Sequence, residues 1–164
     1  MTRPTPLRQR ARAGFSMIEL IVVLVIVGIT IGISAGRIHA MIIHERLVRA
    51  ATAVQNDLEA AFAIATRNRR PTRIVWNGDD MQLSVVEHDW SKTYRHTGLG
   101  RDPYGLKKSN VSTSYSFVDV FPNGMADHPL SIWFNINKTK RTVEMSRTGM
   151  VKICVPVLPD GSCQ

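Results

Sequence analysis

The chain has 164 residues, 44% of them hydrophobic, with 21 Lys or Arg against 13 Asp or Glu and a formal charge of +8. That length leaves room for one core and an appendage, not for several domains. The charge excludes less than it suggests: Arg3, Arg8, Arg10 and Arg12 lie in the first fourteen residues and no acid precedes Glu19, so without that segment 17 basic residues (21 less four) face 13 acidic ones, or +4. An excess of that size does not by itself indicate nucleic-acid binding.

Residues 1–14 read MTRPTPLRQRARAG, a basic, acid-free tract suited to the cytoplasmic flank of an inserted segment. From Phe15 to Ala35 the chain is apolar for 21 residues, about 31 Å as a helix, which matches the hydrocarbon thickness of a bilayer. A secretory signal peptide would be cut after this run, and Ser34-Ala35-Gly36 is a poor small-x-small site; a plain signal anchor is the other ordinary reading. Glu19 discriminates against both. An ionised carboxylate in an apolar stretch costs several kcal/mol and persists where something pairs with it. No basic residue lies nearby on the same helix, so the simplest partner is a new α-amino group on a neighbouring copy or homologue, which requires cleavage just before the helix.

Gly14-Phe15-Ser16-Met17-Ile18-Glu19-Leu20 resembles the cleavage and methylation motif of type IV prepilins. The resemblance implies cutting between Gly14 and Phe15 by a prepilin peptidase, N-methylation of Phe15, and Glu19 neutralising the N-terminus of an adjacent subunit during assembly. Gly28, Gly32 and Gly36 add a small-residue stripe that either admits another helix closely or reflects the frequency of glycine in membrane helices.

Arg37, His39, His44, Glu45 and Arg46 mark emergence into water, with the helix continuing. Leu47, Ala51, Val54, Leu58, Ala61 and Ala65 recur at alternating four- and three-residue steps and share one face, predicted to pack on a sheet. Arg49, Asp57, Glu59 and Arg67 are expected to face solvent. Arg67 to Pro71 ends the pattern, giving a helix from Phe15 to about Asn68, roughly 80 Å long.

The remainder reads as β. Thr72 to Trp76 and Met81 to Val86 flank the turn Asn77 to Asp80, and Leu130 to Phe134 and Ile136 alternate before a polar turn from Asn137 to Arg141. Further strands are expected around Val143 to Met145 and Val151 to Val155. Asp89 to Ser109 reads as a long loop, with less regular strands within Val111 to Phe121. Cys154 and Cys163 enclose eight residues containing Pro156, Pro159 and Asp160-Gly161. With the export signal upstream, a disulfide is preferred to two free thiols; two thiols without ligand-spaced partners do not complete a metal site.

Phe121-Pro122-Asn123-Gly124, the strand Leu130 to Phe134 and the stretch Met145 to Ile153 resemble the GspH/FimT family of minor pseudopilins and minor pilins. This implies an α+β pilin fold, one long N-terminal helix packed by its second half on an antiparallel sheet. It divides the chain into a cleaved leader (1–14), a transmembrane and assembly helix (15–36) and a periplasmic domain (37–164). It also implies a bacterial inner-membrane, single-pass chain with its N-terminus cytoplasmic, and partners in prepilin peptidase, other pilins or pseudopilins and inner-membrane lipid. The function expected is that of a structural subunit at or near the tip of a type IV pilus or type II secretion pseudopilus. The cysteine loop leans toward the pilus branch.

No catalytic constellation emerges. The five histidines (39, 44, 88, 96 and 128) show no metal-ligand spacing and read as solvated. Gly98-Leu99-Gly100 is not a complete dinucleotide fingerprint, and no cofactor or metal is expected. Some FimT-like minor pilins bind DNA through a glycine-arginine motif near the C-terminus; here Gly149-Met150-Val151-Lys152 lacks both arginines. The basic residues Lys138, Lys140, Arg141, Arg147 and Lys152 remain candidates for a DNA-receptor role, against the plainer reading of a solvated rim on the sheet.

Overall fold

The computed structural model describes residues 15–137 and 139–154, with only the backbone described for 33–37, 39 and 40. The chain divides into two units, 1–39 and 40–164. In chain order the elements are helix α1 (Met17–Asn68) and strands β1 (Thr72–Asn77), β2 (Gln82–Glu87), β3 (Thr93–Gly98), β4 (Val111–Thr113), β5 (Phe117–Val120), β6 (Leu130–Ile136), β7 (Thr139–Met145) and β8 (Val151–Cys154).

In the first unit the α1 backbone begins with help from Ser16, whose Oγ accepts from the Ile18 amide at 3.3 Å and satisfies one of the orphan donors of a helix start. The apolar side chains that follow, among them Ile18, Leu24 and Ile29, are about 60% exposed. A Cβ added at Gly28 or Gly32 would meet nothing within 4 Å, so nothing near them in this chain demands glycine there. Among the described residues no helix is long and apolar enough to cross a membrane. The described side chains of the apolar run stop at Gly32, and the span expected over Phe15 to Ala35 rests on the sequence.

In the second unit the six predicted helix positions, Leu47, Ala51, Val54, Leu58, Ala61 and Ala65, are all fully buried, together with Ala50. Four of those seven are alanines, which lets the β layer approach the helix closely while the leucines and Val54 fill the space between. The helix stops at Asn68 because Arg69 adopts a left-handed φ of 53°, with Pro71 following two residues later.

The β layer is two four-stranded antiparallel sheets, not the single sheet expected: β3-β2-β1-β5 and β4-β6-β7-β8. The split comes from the segment between β4 and β5. The Ser114 amide donates to the carbonyl of Ser131 (3.0 Å) while the carbonyl of Ser116 accepts from the Trp76 amide (2.7 Å), so the chain leaves one sheet and enters the other within three residues. The expected loop from Asp89 to Ser109 contains β3, an edge strand whose exposed Thr93, Arg95 and His96 carry no apolar alternation. After it, Leu99 and Leu106 are buried and pinned by the Leu99 amide on the Met81 carbonyl (2.7 Å) and the Leu106 amide on Leu99 (3.0 Å).

The turn between β6 and β7 is shorter than predicted. Ile136 already pairs with Thr139, and Asn137 takes the positive φ (54°) that such tight connections require. Between β7 and β8, Gly149 sits at φ 82° and an added Cβ would meet the Phe62 ring at 3.1 Å. Both the backbone and the helix therefore call for glycine at that turn.

Candidate functional site

The residues singled out from the sequence fall in two places. At the start of α1, Phe15 is 84% exposed and Glu19 stands in the first turn, where a negative charge complements the helix dipole. Among the described residues no basic side chain lies within 4 Å of Glu19; Gly14 lies outside the described residues.

Among the described residues the basic candidates of the C-terminal region are not all exposed. Lys140 is exposed on β7, but the next residue, Arg141, is buried. Lys152 stands 3.9 Å from Glu144 across the β7–β8 pair, and Arg147 lies in the turn at the far end of β7. Lys138 lies outside the described residues. Cys154 is buried at the end of β8, opposite Thr142; Cys163, its expected partner, also lies outside them.

Sequence reasoning missed the buried charges. Asp57, expected to face solvent, is 1% exposed, and Arg95 Nε on β3 lies 2.8 Å from its Oδ1. Neither Asp57 oxygen has a hydrogen-bond partner, so the pair is held by charge, with the N–H not directed at the oxygen. Its position was legible: Asp57 falls three residues after Val54 and one before Leu58, inside the buried stripe, just as Ala50 does after Leu47.

A second cluster lies on the β1–β5 pair. Arg73 donates to both oxygens of Asp119 at 2.6 and 2.7 Å, and Phe117 and Trp90 flank the guanidinium at 4.8 and 5.9 Å. His88 Nδ1 is 3.3 Å from Asp119 and His128 Nδ1 is 3.0 Å from Asp127, so two of the five histidines read as solvated sit against carboxylates. Burial pushes the Asp119 carboxyl up, but hydrogen bonding and charge from Arg73, aided by His88, outweigh it and leave the group below its usual range. A depressed carboxylate contributes stability above its unfolded value, about 3.9, and that stability is lost as pH falls through the folded value. Asp119→Asn is therefore expected to flatten the acid limb of the stability curve below about pH 4. Urea midpoints at neutral and acid pH check this; an unchanged acid slope would remove Asp119 from the account.

An open, polar cavity of about 560 Å³ beside β2 and β3 is lined by Asp80, Gln82, His96, Gly98, Gly100, Arg101 and Asp102. It contains no nucleophile paired with a base. Among the described residues no three His, Cys, Asp or Glu side chains are placed to hold a metal ion.

Comparison with known proteins addresses both parts of the chain. Residues 9–35 match the prokaryotic N-terminal methylation motif. The coordinates resemble the crystal structure of the type IV minor pilin FimU of Pseudomonas aeruginosa at 17% identity and a TM-score of 0.53, covering 66% of this chain and 88% of that one. The chain has a pilin-like fold. The minor pseudopilin EpsH from the type 2 secretion system of Vibrio cholerae is similar to this pilin-like chain at 14% identity and a TM-score of 0.51, over 65% of this chain and 94% of that one. Comparison with curated protein sequences gives no match.

Proposed function

We propose that this pilin-like chain is a minor pilin or pseudopilin, a non-enzymatic subunit that enters a type IV pilus or a type II secretion pseudopilus at or near its tip. The observation that carries the reading is the presence of a prepilin-type methylation motif and a pilin-like domain in one chain. In this reading prepilin peptidase cuts between Gly14 and Phe15 on the cytoplasmic side of the inner membrane, Phe15 is methylated, and the helix from Phe15 to Gly36 anchors the periplasmic domain until assembly. Glu19 then meets the N-terminus of a neighbouring pilin or pseudopilin, and Cys154 and Cys163 close the end of the chain as a disulfide.

The test is the mass of the chain recovered from cells with and without prepilin peptidase. The expected product begins at Phe15 and carries one added methyl group only when the peptidase is present. A chain that keeps residues 1–14 in both cells, or is cut after Ala35, would refute the assembly role. The DNA-receptor alternative gains nothing from the distribution of its basic residues, since Arg141 is buried and Lys152 stands near Glu144.

A further inference from the structure

β3 is the outer strand of its sheet, with β2 on one side and, among the described residues, nothing paired to the other. The phase of the ladder fixes which of its backbone groups are left over. In an antiparallel pair, residues that exchange hydrogen bonds alternate with residues whose N–H and C=O point away from the partner strand. The Leu99 amide donates to the Met81 carbonyl at 2.7 Å, so Thr97 and Arg95, opposite Leu83 and Val85, also face β2, while His96 and Gly98, opposite Ser84 and Gln82, turn their backbone groups outward. Both residues are exposed. A row of free donors and acceptors of this kind is a template for another extended chain.

We infer that β3 is a docking edge for an acidic, extended segment of another protein, which joins the sheet as a further strand. Backbone hydrogen bonds supply the affinity of such a contact and side chains its selectivity. Residues 90–101 contain Lys92, Arg95 and Arg101 and no Asp or Glu. The Asn68 amide donates to the Tyr94 hydroxyl at 3.2 Å, which brings exposed Arg67 and Arg69, on either side of Asn68, to the same strand. Of these five cations only Arg95 has a carboxylate within 4 Å among the described residues, that of Asp57. A second copy of β3 would bring the same charges and be repelled, whereas an acidic strand is attracted. Its acids belong on the helix side of the sheet, where Arg95 reaches Asp57. On the other side, a residue opposite Gly98 faces the open cavity lined in part by Gln82 and His96, and a Cβ added at Gly98 meets nothing within 4 Å, so there is room for a side chain. Because Asp80 and Asp102 also line that cavity, an uncharged one suits it.

The experiment uses the full chain in maltoside micelles and a capped peptide of four Glu-Thr repeats, acidic on one side and uncharged on the other. Fluorescence anisotropy measures its affinity, and amide hydrogen exchange read by NMR locates it. Binding is expected to slow exchange at His96 and Gly98 and to change Thr97 and Arg95 little, since those amides already face β2. The threonines lie opposite His96 and Gly98, so N-methylation of the threonines should weaken binding about tenfold or more, while N-methylation of the glutamates, whose amides face away, should be tolerated. His96→Pro removes a donor from the free edge, where proline is accepted, and should cause a similar loss; His96→Thr keeps the amide and should bind like the parent. Lys92→Glu with Arg101→Glu, both at exposed positions, should weaken the acidic peptide and favour one of Lys-Thr repeats. No binding, binding without slowed exchange at His96 and Gly98, or equal binding of the threonine-methylated peptide overturns the docking edge, and the peptides decide this even where His96→Pro does not fold. Lys-Thr repeats that bind the parent as well as Glu-Thr repeats overturn the acidic partner. Self-association that slows the same two amides makes a second copy the occupant, and duplex DNA that displaces the peptide and loses affinity on the same charge reversal makes nucleic acid the ligand; either result overturns the proposal.

Discussion

Arg95→Ala is expected to destabilise the domain by about 3 kcal/mol, the lower end of the cost of leaving a buried charge without its partner, and to lower its Tm by about 10 °C. The size follows from an asymmetry in the pair. Arg95 is half exposed and regains water when its partner is lost, whereas Asp57 is almost wholly enclosed and accepts no hydrogen bond. Removing the arginine therefore strands the carboxylate, while removing the carboxylate returns the arginine to solvent. Asp57→Ala should cost less than Arg95→Ala, and the double variant should be more stable than Arg95→Ala alone, by at least about 1 kcal/mol. Thermal unfolding of the four chains in detergent measures the cycle. An Arg95→Ala chain within about 0.5 kcal/mol of the parent, the range of ordinary surface substitutions, would show that the pair stabilises nothing.

The Asp57 result also marks where the sequence stopped being readable. The helix face was legible because its period is set by geometry, and all six apolar positions chosen from it are buried. Asp57 was assigned to solvent by residue type although its position lies within the same stripe; position was the better guide. Arg141 is the same case on a strand: counted among surface bases, it lies on the inward side with Val143 and Met145 at two-residue steps. The strands β2 and β6 were legible from apolar alternation and β1 from the turn Asn77 to Asp80 that joins it to β2, whereas β3 was not, because an edge strand pairs through its backbone and needs no apolar face. Two sheets could not be told from one, since their separation depends on the carbonyls and amides of Ser114 and Ser116, which carry no side-chain signal. At the N-terminus the situation reverses. The roles of Gly14, Phe15 and Glu19 are proposed from sequence alone, and the single chain adds little because the chemistry proposed for them lies between chains.

Glu19→Ala is accordingly expected to leave the domain and its membrane association unchanged while reducing incorporation into filaments by about tenfold or more, the equivalent of about 1.4 kcal/mol or more of lost pairing. The substitution removes a charge from an otherwise apolar run, so a role confined to anchoring would be preserved or improved by it. Loss of assembly with retained anchoring would therefore assign Glu19 to a contact made only between subunits. Glu19→Gln separates the two forms that contact could take: it keeps the hydrogen-bonding shape but cannot neutralise an α-amino group, so it should resemble Glu19→Ala if charge is what matters and the parent if a hydrogen bond suffices. Membrane fractionation and the amount of tagged chain recovered in sheared filaments provide the two readouts. Normal recovery of Glu19→Ala would sink the intersubunit role. Recovery that falls for Glu19→Ala but not for substitutions of the neighbouring apolar residues would tie the loss to the carboxylate itself.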